Sequence, residues 1–530
     1  MLFFVLRLMT VSNGWKGGYM VSVKHKSAFK KIISAAVCLA MLPGISGVAP
    51  SVFAETQNAA NSASSSSEEG INDSQMSIVS RDSIYSAYYN KYKDTVRPDR
   101  EIVIEAQSHT RVETGGTAVI TDEASYNGID NVVLWENDGG TIEWEFEVAE
   151  TGIYNLEMYY HPIAGNTTTI EIELAIDGKA PFDQANYLTL DRYWKNEHEI
   201  QADSKDNQSR PPQVEYDTWL TYPIKDKDGI YNEPYFFYLE KGKHTISLTS
   251  IKMRMALKSL RFYNSDELVS YESIKPTQEE LDNTPAIADG KAILVEAENA
   301  SWKTSSVLYP TKEKGDYLAS PANPVKERYN TLGLDTWNKS TQTATWKIIV
   351  PADGYYSINM RARQNTMRGL FSNRRLYIDG KVPFDIADNI RFNYSTDWYT
   401  QELTDTSGDT AYIYLTAGDH EISLEATPGD LGETMQRLDD IVYELNYYYR
   451  RILMITGPTP NAYQDYNVHK KIDNFDQKMQ ELIDKLYSEK AYIEQYTTTG
   501  SEAGALEAMA VIIERMKDKP RRIPQMLESL

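Results

Sequence analysis

Hydrophobic and polar residues alternate over much of the chain between residues 96 and 446. In "IEIELAID" at 170–177, four aliphatic side chains fall on one side of an extended chain and mostly acidic ones on the other. The stretch "GIYNLEMYY" at 152–160 repeats this period of two. Such alternation predicts strands with one buried face, as in an antiparallel sheet. Turn residues recur at short spacing and no helical period persists, which is typical of a β-sandwich.

The alternating pattern occurs in two copies. "IDGKAPFD" at 176–183 returns as "IDGKVPFD" at 378–385, and Trp144 matches Trp346 at the same separation. The opening stretches "IVIEAQ" and "ILVEAE" keep the same order upstream. The Asp-Gly pair and the Pro of the motif are turn residues, so we interpret the motif mainly as a structural feature. The chain is therefore predicted to contain two related domains, module 1 and module 2.

The period changes after residue 446. Apolar residues from Phe475 to Leu486 recur every three or four positions, and a second run from Leu506 to Met516 does the same. This spacing predicts amphipathic helices. Two helices cannot close a core of their own, so the helical segment is expected to begin a further domain.

The N-terminus has the features of a targeting segment. A basic stretch, "KHKSAFKK", precedes the apolar "IISAAVCLAML", which is too short to span a bilayer, and a small-residue cleavage site follows at Ala54. Met20 is a more ordinary start for such a signal than Met1. Cys38 is the only cysteine, and Val37 disfavours its use as a lipid-anchored residue. The Ser- and Asn-rich stretch that follows predicts a disordered linker.

The expected fold class is mainly β, with two tandem antiparallel β-sandwich domains followed by an α-helical segment. The expected segments are a signal peptide (1–54), a disordered linker (55–95), module 1 (96–265), a linker (266–289), module 2 (290–446) and the helical segment (447–530).

Composition narrows the possible partners. The chain has 54 Lys and Arg against 76 Asp and Glu, a net charge of −22, which repels phosphate backbones and argues against a nucleic-acid partner. It has 37 Tyr and 9 Trp against 13 Phe. Tyr and Trp combine an apolar ring with a polar group, and they suit surfaces that meet polar ligands. Cleavage after Ala54 would leave no cysteine for a disulfide, a thiolate metal site or a nucleophile.

Five stretches of module 2 together resemble a known family. Taken in this order and spacing, they are similar to carbohydrate-binding modules of the galactose-binding-like, jelly-roll β-sandwich type. The stretches are "VEAE" at 295–298, "WKIIVPADGYYSINMRA" at 346–362, "LYIDG" at 376–380, "AGDHEISL" at 417–424 and "LDDI" at 438–441.

This resemblance implies a structural calcium ion that ties the first strand of the module to its last strand. The matching ligands in module 2 are Glu296, Glu298 and Asp439, and carboxylates are suitable ligands for this hard cation. Module 1 departs from the pattern, with Gln107 in place of the second Glu and Lys258 in place of the Asp. Calcium is therefore expected in module 2 only. The alternative is that these acids are ordinary strand-edge residues.

The resemblance also implies a ligand site made of loop aromatics, on which a sugar ring could stack. The alternative is that each of these aromatics caps the sandwich. The candidates are Tyr394, Trp398 and Tyr399 in module 2, Tyr193 and Trp194 in the related region of module 1, and the paired Trp135 and Trp337 before a core strand.

The whole arrangement is similar to long secreted solute-binding proteins of Firmicute sugar ABC transporters, which carry paired modules before the binding-protein fold. The stretch from Tyr447, "YYYRRILMITGPTPNAYQDYN", resembles the helical part that follows the modules there. The resemblance implies a secreted, surface-associated protein of a Gram-positive bacterium with an oligo- or polysaccharide ligand. It also implies contact with a permease through a C-terminal domain absent from this chain, and no membrane span after signal cleavage.

Catalytic motifs do not stand out in the sequence. The seven His residues are scattered, and neither "HEIQAD" nor "HEISLEA" returns a second His at zinc-binding spacing. A nucleophile elbow and a glycine-rich phosphate loop are also missing. We therefore expect a non-catalytic protein. Two alternatives stay open: a cell-surface adhesion or envelope protein, and the ancillary binding half of a secreted glycosidase.

Overall fold

The structure is a computed structural model that describes residues 5–10, 83–164, 169–252, 254–265, 267–284, 292–316, 318–497 and 503–526. The described residues form two compact units, a β unit that ends at Glu433 and a helical unit that begins at Thr434. The predicted signal sequence after residue 10 and the linker up to residue 82 lie outside the described residues.

The strands are named in chain order. They are β1 (Val5–Thr10), β2 (Ile102–Glu105), β3 (Arg111–Glu113), β4 (Val119–Tyr126), β5 (Ile129–Glu136), β6 (Thr141–Val148), β7 (Gly152–Pro162), β8 (Ile170–Ile176), β9 (Leu188–Leu190), β10 (Trp194–Asn196), β11 (Gln213–Glu215), β12 (Leu220–Pro223), β13 (Phe236–Leu239), β14 (Gly242–Lys252), β15 (Met255–Tyr263), β16 (Ile293–Glu296), β17 (Trp302–Lys303), β18 (Pro310–Thr311), β19 (Thr331–Leu332), β20 (Thr343–Val350), β21 (Gly354–Ala362), β22 (Phe371–Ile378), β23 (Ile390–Asn393), β24 (Tyr399–Glu402), β25 (Tyr412–Leu415) and β26 (Gly418–Thr427).

The helices are short in the β unit and longer in the helical unit. They are α1 (Tyr85–Tyr92), α2 (Tyr271–Ile274), α3 (Gln278–Asn283), α4 (Asp385–Asp388), α5 (Leu431–Thr456), α6 (Val468–Lys471), α7 (Phe475–Glu494), α8 (Gly504–Asp518) and α9 (Ile523–Met526).

Module 1 is an antiparallel β-sandwich. One sheet has the order β12-β7-β15-β5-β4, with β13 also paired to β7 and β2 to β15, and the other has the order β3-β6-β14-β8-β9. Along β8 the side chains alternate between buried and more exposed positions, as the sequence pattern predicts. Trp144 lies in the core. It is fully buried, and its indole N–H donates to the Ala106 carbonyl at 2.8 Å.

Module 2 repeats this plan. One sheet contains β16, β1, β21, β24 and β25, and the other contains β17, β20, β26, β22 and β23. Trp346 is buried like Trp144, and its indole N–H donates to the Ala297 carbonyl at 3.1 Å. The prediction of two antiparallel β-sandwiches followed by a helical segment is confirmed.

The two modules share one sheet. Strands β10 and β11, from an insertion in module 1, extend the second sheet of module 2, and Trp194 of β10 pairs with Lys303 of β17. Beside this joint, Lys225 of module 1 lies 2.7 Å from the Glu425 carboxylate of module 2. The modules are therefore joined by a continuous backbone ladder and by a largely buried ion pair.

A short helix precedes each module and inserts one tyrosine into it. Tyr85 of α1 and Tyr271 of α2 are each 1% exposed, and each ring centroid lies 4.8 Å from the Phe of the repeated motif, Phe182 or Phe384. The sequence prediction placed residues up to 95 in a disordered linker with no residue able to join a core. That was wrong for α1, because its closely spaced tyrosines pack against the aromatic end of module 1.

The repeated motif is a structural feature in both copies. Asp177 and Asp379 adopt left-handed φ values of 52° and 50° in the turn. Each carboxylate binds a histidine of the neighbouring strand in the sheet, at 2.7 Å for His244 of β14 and 2.6 Å for His420 of β26. The Asp therefore fixes the turn against the neighbouring strand.

The helical unit begins earlier than predicted. Helix α5 starts at Leu431, so residues 431–446, assigned to module 2 from the sequence, are helical, and "LDDI" at 438–441 is not a strand. Leu438, Ile441 and Leu445 follow a spacing of three to four residues and pack in the core shared by α5, α7 and α8. Among the helices of the described segments, none is both long and apolar enough to cross a membrane.

Candidate functional site

Trp398 lies at the loop end of module 2, directly before β24. Its side chain is partly exposed, and the guanidinium groups of Arg363 and Arg361 lie 5.2 Å and 6.0 Å from its ring centroid. Both arginines sit at or just after the end of β21, which pairs with β24. An indole ring beside two guanidinium groups offers a flat apolar face next to hydrogen-bond donors.

Two buried carboxylates hold these arginines in place. Asp316 accepts two hydrogen bonds from Arg361, at 2.6 Å and 2.7 Å, and Glu313 accepts one from Arg363 at 2.7 Å. The Asp316 and Glu313 side chains are 4% and 9% exposed. Burial alone would raise the pKa of Asp316, but hydrogen bonds from Arg361 and the Leu318 backbone, together with the charges of Arg361 and Arg363, lower it. Paired in this way, the arginines are pre-positioned around Trp398.

The other predicted aromatics of module 2 lie in the same loop. Tyr399 follows Trp398, donates its hydroxyl to the Asn393 carbonyl at 3.1 Å, and has its pKa raised to about 12 by burial. Tyr394 begins the loop and its backbone N–H donates to the Leu370 carbonyl at 3.2 Å. Tyr394, Trp398 and Tyr399 therefore lie in one loop at the end of module 2, and their role as ligand residues stays a prediction. We call Trp398, Tyr399, Arg361 and Arg363 the Trp398 site.

Module 1 has a corresponding aromatic that the sequence analysis missed. Leu220 of β12 pairs with Tyr160 of β7, and Tyr399 of β24 pairs with Ala362 of β21, at the repeat offset of 202 residues. Trp219, which precedes Leu220, is therefore the counterpart of Trp398. The signal was present in "DTW" and "TDW", but an insertion upstream shifted the offset and hid the match.

The surroundings of Trp219 differ in chemistry from those of Trp398. At the position of Arg363, module 1 has His161, which is 1% exposed and whose Nε2 lies 2.8 Å from the Asn127 amide and 3.1 Å from the Asp217 carboxylate. Burial lowers the pKa of His161, although Asp217 opposes this. The indole N–H of Trp219 donates to the Asn127 carbonyl at 3.2 Å. Module 1 thus presents an aromatic beside a buried imidazole where module 2 has arginines.

Trp135 and Trp337 do not line the rim, contrary to the prediction. They are 0% and 2% exposed, and their indole N–H groups donate to the carbonyls of Gly139 and Gln342, both at 3.0 Å. Trp135 takes an inward position of β5, between β4 and β15, and Trp337 ends a short 3-10 turn before β20. Burial removes both from the candidate ligand site.

Tyr193 and Trp194 form a joint between the modules instead of a loop site. The Tyr193 ring stacks on Trp302 of module 2, with centroids 3.9 Å apart and planes 4° apart, and Trp194 is 7% exposed within β10. The prediction placed them beside a ligand because they occupy a similar place in the repeat. In the structure, the insertion that contains β10 and β11 places this region at the interface between module 1 and module 2.

The two predicted calcium ligands of the opening motif, Glu296 and Glu298, interact electrostatically, and each has a carboxylate oxygen without a hydrogen-bond partner. Glu298 is 2% exposed, Glu296 is half-buried, and the Oε2 atom of each has no hydrogen-bond partner. Burial raises the pKa of Glu298 to about 8, with a smaller contribution from the charge of Glu296. Burial also raises the pKa of Glu296. Two desolvated carboxylates with unsatisfied oxygens fit a hard cation.

Module 1 satisfies the same positions with its own side chains. Gln107, the counterpart of Glu298, donates its amide to the carbonyls of Glu123 and Val132 at 2.8 Å and 3.0 Å. Glu105, the counterpart of Glu296, pairs with Lys258 at 2.7 Å. An ammonium group therefore takes the place that a metal ion would need.

Asp439, the third predicted calcium ligand, is not where the prediction placed it. It lies on α5 in the helical unit, whereas the two glutamates belong to the β unit. Across the described residues, no group of three or more His, Cys, Asp and Glu side chains could hold a metal ion. Other ligands at Glu296 and Glu298 would have to be backbone carbonyls or water.

The C-terminal part of the chain matches a known family. Residues 433–530 match the family described as the bacterial solute-binding protein, 4-helix bundle domain. This confirms the predicted resemblance of the helical segment to solute-binding proteins. No curated protein matches the chain.

Solved structures similar to about a third of this chain include carbohydrate-binding modules. One is a β-(1,4)-mannanase from Podospora anserina with a family 35 carbohydrate-binding module, at 13% identity and a TM-score of 0.19, covering 32% of this chain and 29% of that one. Another is the C-terminal family 6 module of a laminarinase from Zobellia galactanivorans, at 13% identity and 0.20, covering 31% and 100%. A third is a family 35 module from Clostridium thermocellum, at 15% identity and 0.18, covering 31% and 99%. This chain therefore spans less than a third of the mannanase.

Proposed function

We propose that the β unit binds carbohydrate through the Trp398 site. The observation that carries the proposal is a partly exposed indole beside two arginines that are held by buried carboxylates at a loop end. A sugar ring presents an apolar face of C–H groups and a rim of hydroxyls. The indole matches the first and the fixed guanidinium donors match the second. No catalytic role is assigned to these residues.

A substitution at Trp398 tests this proposal. Trp398→Ala should remove retention by the polysaccharide that the wild-type chain binds, measured by affinity gel electrophoresis after a glycan array has identified it. Tyr463→Ala is the matched control, because Tyr463 is 95% exposed and lies in the helical unit. If Trp398→Ala and Tyr463→Ala keep wild-type retention alike, this site does not bind the sugar.

Calcium is the second part of the proposal. Glu296 and Glu298 would hold the ion, which would neutralise two carboxylates that burial otherwise disfavours as anions. Titration calorimetry of the full chain with calcium should show one site in the wild type and none in Glu298→Gln. The control is Glu105→Gln in module 1, where Lys258 already occupies the position. Equal heats in wild type and Glu298→Gln would contradict the proposal.

The match at residues 433–530 supports a wider role. We propose that the chain is the front part of an extracellular solute-binding protein of a sugar ABC transporter, secreted and surface-associated in a Gram-positive bacterium. In this role the modules retain a saccharide near the cell surface and take no part in catalysis. Co-purification of the permease with the longer protein of which this chain would be the front part, from its native membrane, tests this role. Recovery of that longer protein without permease from a membrane that contains it would count against the role.

A further inference from the structure

A cleft separates the insertion of module 1 from the opening part of module 2. The insertion reaches module 2 at β10, where Trp194 pairs with Lys303 of β17. Residues within 195–208 line one wall of the cleft, and residues 298–301 together with Tyr329 line the other. Its volume is about 690 Å³, within the range of about 300–1,000 Å³ that is usual for small-molecule sites. We call it the inter-module cleft.

Hydrogen bonds fix the far end of the insertion to module 2. The backbone N–H of Gln208 donates to the Glu327 carbonyl at 3.1 Å, and its side-chain oxygen accepts from the Tyr329 N–H at 2.7 Å. The side-chain oxygen of Asn207 accepts from the Glu327 N–H at 3.1 Å. Because the insertion is held both here and at β10, the protein itself keeps the two walls at a fixed separation. A ligand would not have to order them.

A buried lysine fixes one amide in the wall of the cleft. Lys303 is 0% exposed, and its Nζ donates to the side-chain oxygens of Asn196 and Gln213 at 3.1 Å and 2.5 Å. The Asn196 amide in turn donates to the Glu298 carbonyl at 3.4 Å. Asn196 lines the cleft, so its orientation is set by contacts with both modules.

Neutral polar side chains supply most of the lining. Gln208, Asn299 and Ser301 offer amide and hydroxyl groups, each of which can donate and accept hydrogen bonds. Tyr329 adds an aromatic ring and Pro321 an apolar one. The hydroxyl groups of a sugar likewise donate and accept, and its C–H face packs well on such rings. The lining therefore matches the chemistry of a saccharide.

The charged side chains of the cleft favour a neutral ligand. Lys195 and Glu199 are exposed on the same wall and have opposite signs, so they attract neither cations nor anions selectively. Glu298 lies in the other wall, where its carboxylate would oppose a phosphate or an acidic sugar. The inter-module cleft is therefore suited to an uncharged ligand.

We propose that the inter-module cleft is a second carbohydrate site, which takes a neutral saccharide segment. Each module supplies one wall, so neither module could form this site alone. The residues of the Trp398 site do not line the cleft. The proposal is therefore independent of the Trp398 site, and the two sites can be tested separately.

Titration calorimetry of the full chain with three neutral trisaccharides, cellotriose, mannotriose and maltotriose, tests the proposal. In the Trp398→Ala chain at least one of the three should still bind. Adding Tyr329→Ala to this chain should weaken that binding about tenfold or more, because it removes apolar contact area. Adding Asn299→Trp instead should also weaken it, because a large side chain at an exposed position of the wall fills the cleft.

Tyr309→Ala is the matched control in the same background. Tyr309 belongs to the same joint, where the Arg210 guanidinium lies 4.0 Å from its ring centroid, but it does not line the cleft. This variant should keep the affinity of the Trp398→Ala chain. An equal loss in Tyr309→Ala and Tyr329→Ala would overturn the proposal, because the joint as a whole and not the cleft would then be responsible.

Two other results would overturn the proposal. One is that the Trp398→Ala chain binds none of the three trisaccharides. The other is that both Tyr329→Ala and Asn299→Trp keep the affinity of the Trp398→Ala chain. Equal affinity of the wild type and Trp398→Ala, lost on addition of Tyr329→Ala, would support the inter-module cleft and count against the Trp398 site.

Discussion

Module 1 and module 2 have the same strand plan but are completed by different means. Module 1 uses its own β15, and it satisfies its opening motif with the Gln107 amide and the Lys258 ammonium group. Module 2 takes β1 from a distant part of the chain and leaves Glu296 and Glu298 with unsatisfied oxygens. Module 1 therefore satisfies its opening motif with its own side chains, whereas module 2 leaves two carboxylate oxygens of the motif unsatisfied.

The loop ends show the same contrast. Trp219 lies beside a buried histidine, and Trp398 lies beside arginines held by buried acids. The position of the aromatic is retained while the polar groups around it differ. If both modules bind sugar, they should prefer different hydroxyl patterns, because neutral imidazole and guanidinium groups offer different sets of donors and acceptors.

The largest expected effect concerns the tyrosine that precedes each module. Tyr85→Ala and Tyr271→Ala should each lower the free energy of unfolding by about 3–5 kcal/mol, since each removes a buried ring. Tyr85 also contacts Tyr231 and Tyr235, at 4.7 Å and 4.3 Å between centroids, so its loss should be the more costly. Urea unfolding provides the measurement, with exposed Tyr463→Ala as the control. If Tyr271→Ala lowers the free energy of unfolding more than Tyr85→Ala does, the expected order of the two effects is wrong.

The second prediction tests whether the modules unfold as one body. Lys225→Met leaves the Glu425 carboxylate, 5% exposed, without its ammonium partner, and should cost about 3 kcal/mol. Lys347→Met is the matched control, because Lys347 pairs with Glu421 across 3.5 Å at the surface, where an ion pair contributes about 1 kcal/mol or less. Thermal unfolding followed in both modules measures the effect. A similar small change in both variants would show that this ion pair does not join the modules.

A reciprocal exchange sharpens the comparison of the opening motifs. Gln107→Glu should destabilise module 1 by about 1–3 kcal/mol, since a carboxylate cannot donate to the two carbonyls that the amide now satisfies. Glu298→Gln should leave module 2 unchanged or more stable when a chelator is present, because it removes a buried carboxylate. Thermal unfolding in chelator measures both changes. Destabilisation by Glu298→Gln under these conditions would mean that Glu298 already has a partner within the protein.

The smallest expected effect depends on pH and should be equal in the two modules. Burial lowers the pKa of His244 and His420, but hydrogen bonds with Asp177 and Asp379, hydrogen bonds with backbone carbonyls and nearby negative charges together raise both above the ordinary value of 6.5. Each pair should therefore add stability that is fully present below pH 6.5 and is lost as the pH rises through the folded-state value. Unfolding curves from pH 5 to 9 for His244→Gln and His420→Gln should lack this loss. If the free energy of unfolding depends on pH in this way in one module only, the two His–Asp pairs are not equivalent.

The periodicity of the sequence predicted the sandwiches and their cores well. Trp144 and Trp346, which match at the repeat separation, lie in core strands β6 and β20 and are both buried. The same reasoning failed for Trp135 and Trp337, because it placed both at the rim, whereas Trp135 takes an inward position of β5 and both indole N–H groups bond to the turn that follows. It failed for Asp439 because "LDDI" fits a strand motif over four residues but fits a helix over the longer stretch from 431 to 456.

The candidate site was only partly predictable. Tyr394, Trp398 and Tyr399 were found because they are close in sequence and lie in one loop. Arg361 and Arg363 were missed because they lie about 35 residues earlier, and pairing of β21 with β24 brings them to Trp398. Trp219 was missed because an insertion changed the spacing between the copies.

The sequence by itself determined the strand and helix periods, the duplication, and the turn at Asp177-Gly178, since each depends on neighbours within a few residues. The tertiary structure decided which aromatics are buried, where the modules join, and which strand lies between β16 and β21. These outcomes depend on contacts between residues far apart in the chain. Leu6 and Val295 are almost 290 positions apart, so no local pattern could show that β1 pairs with β16.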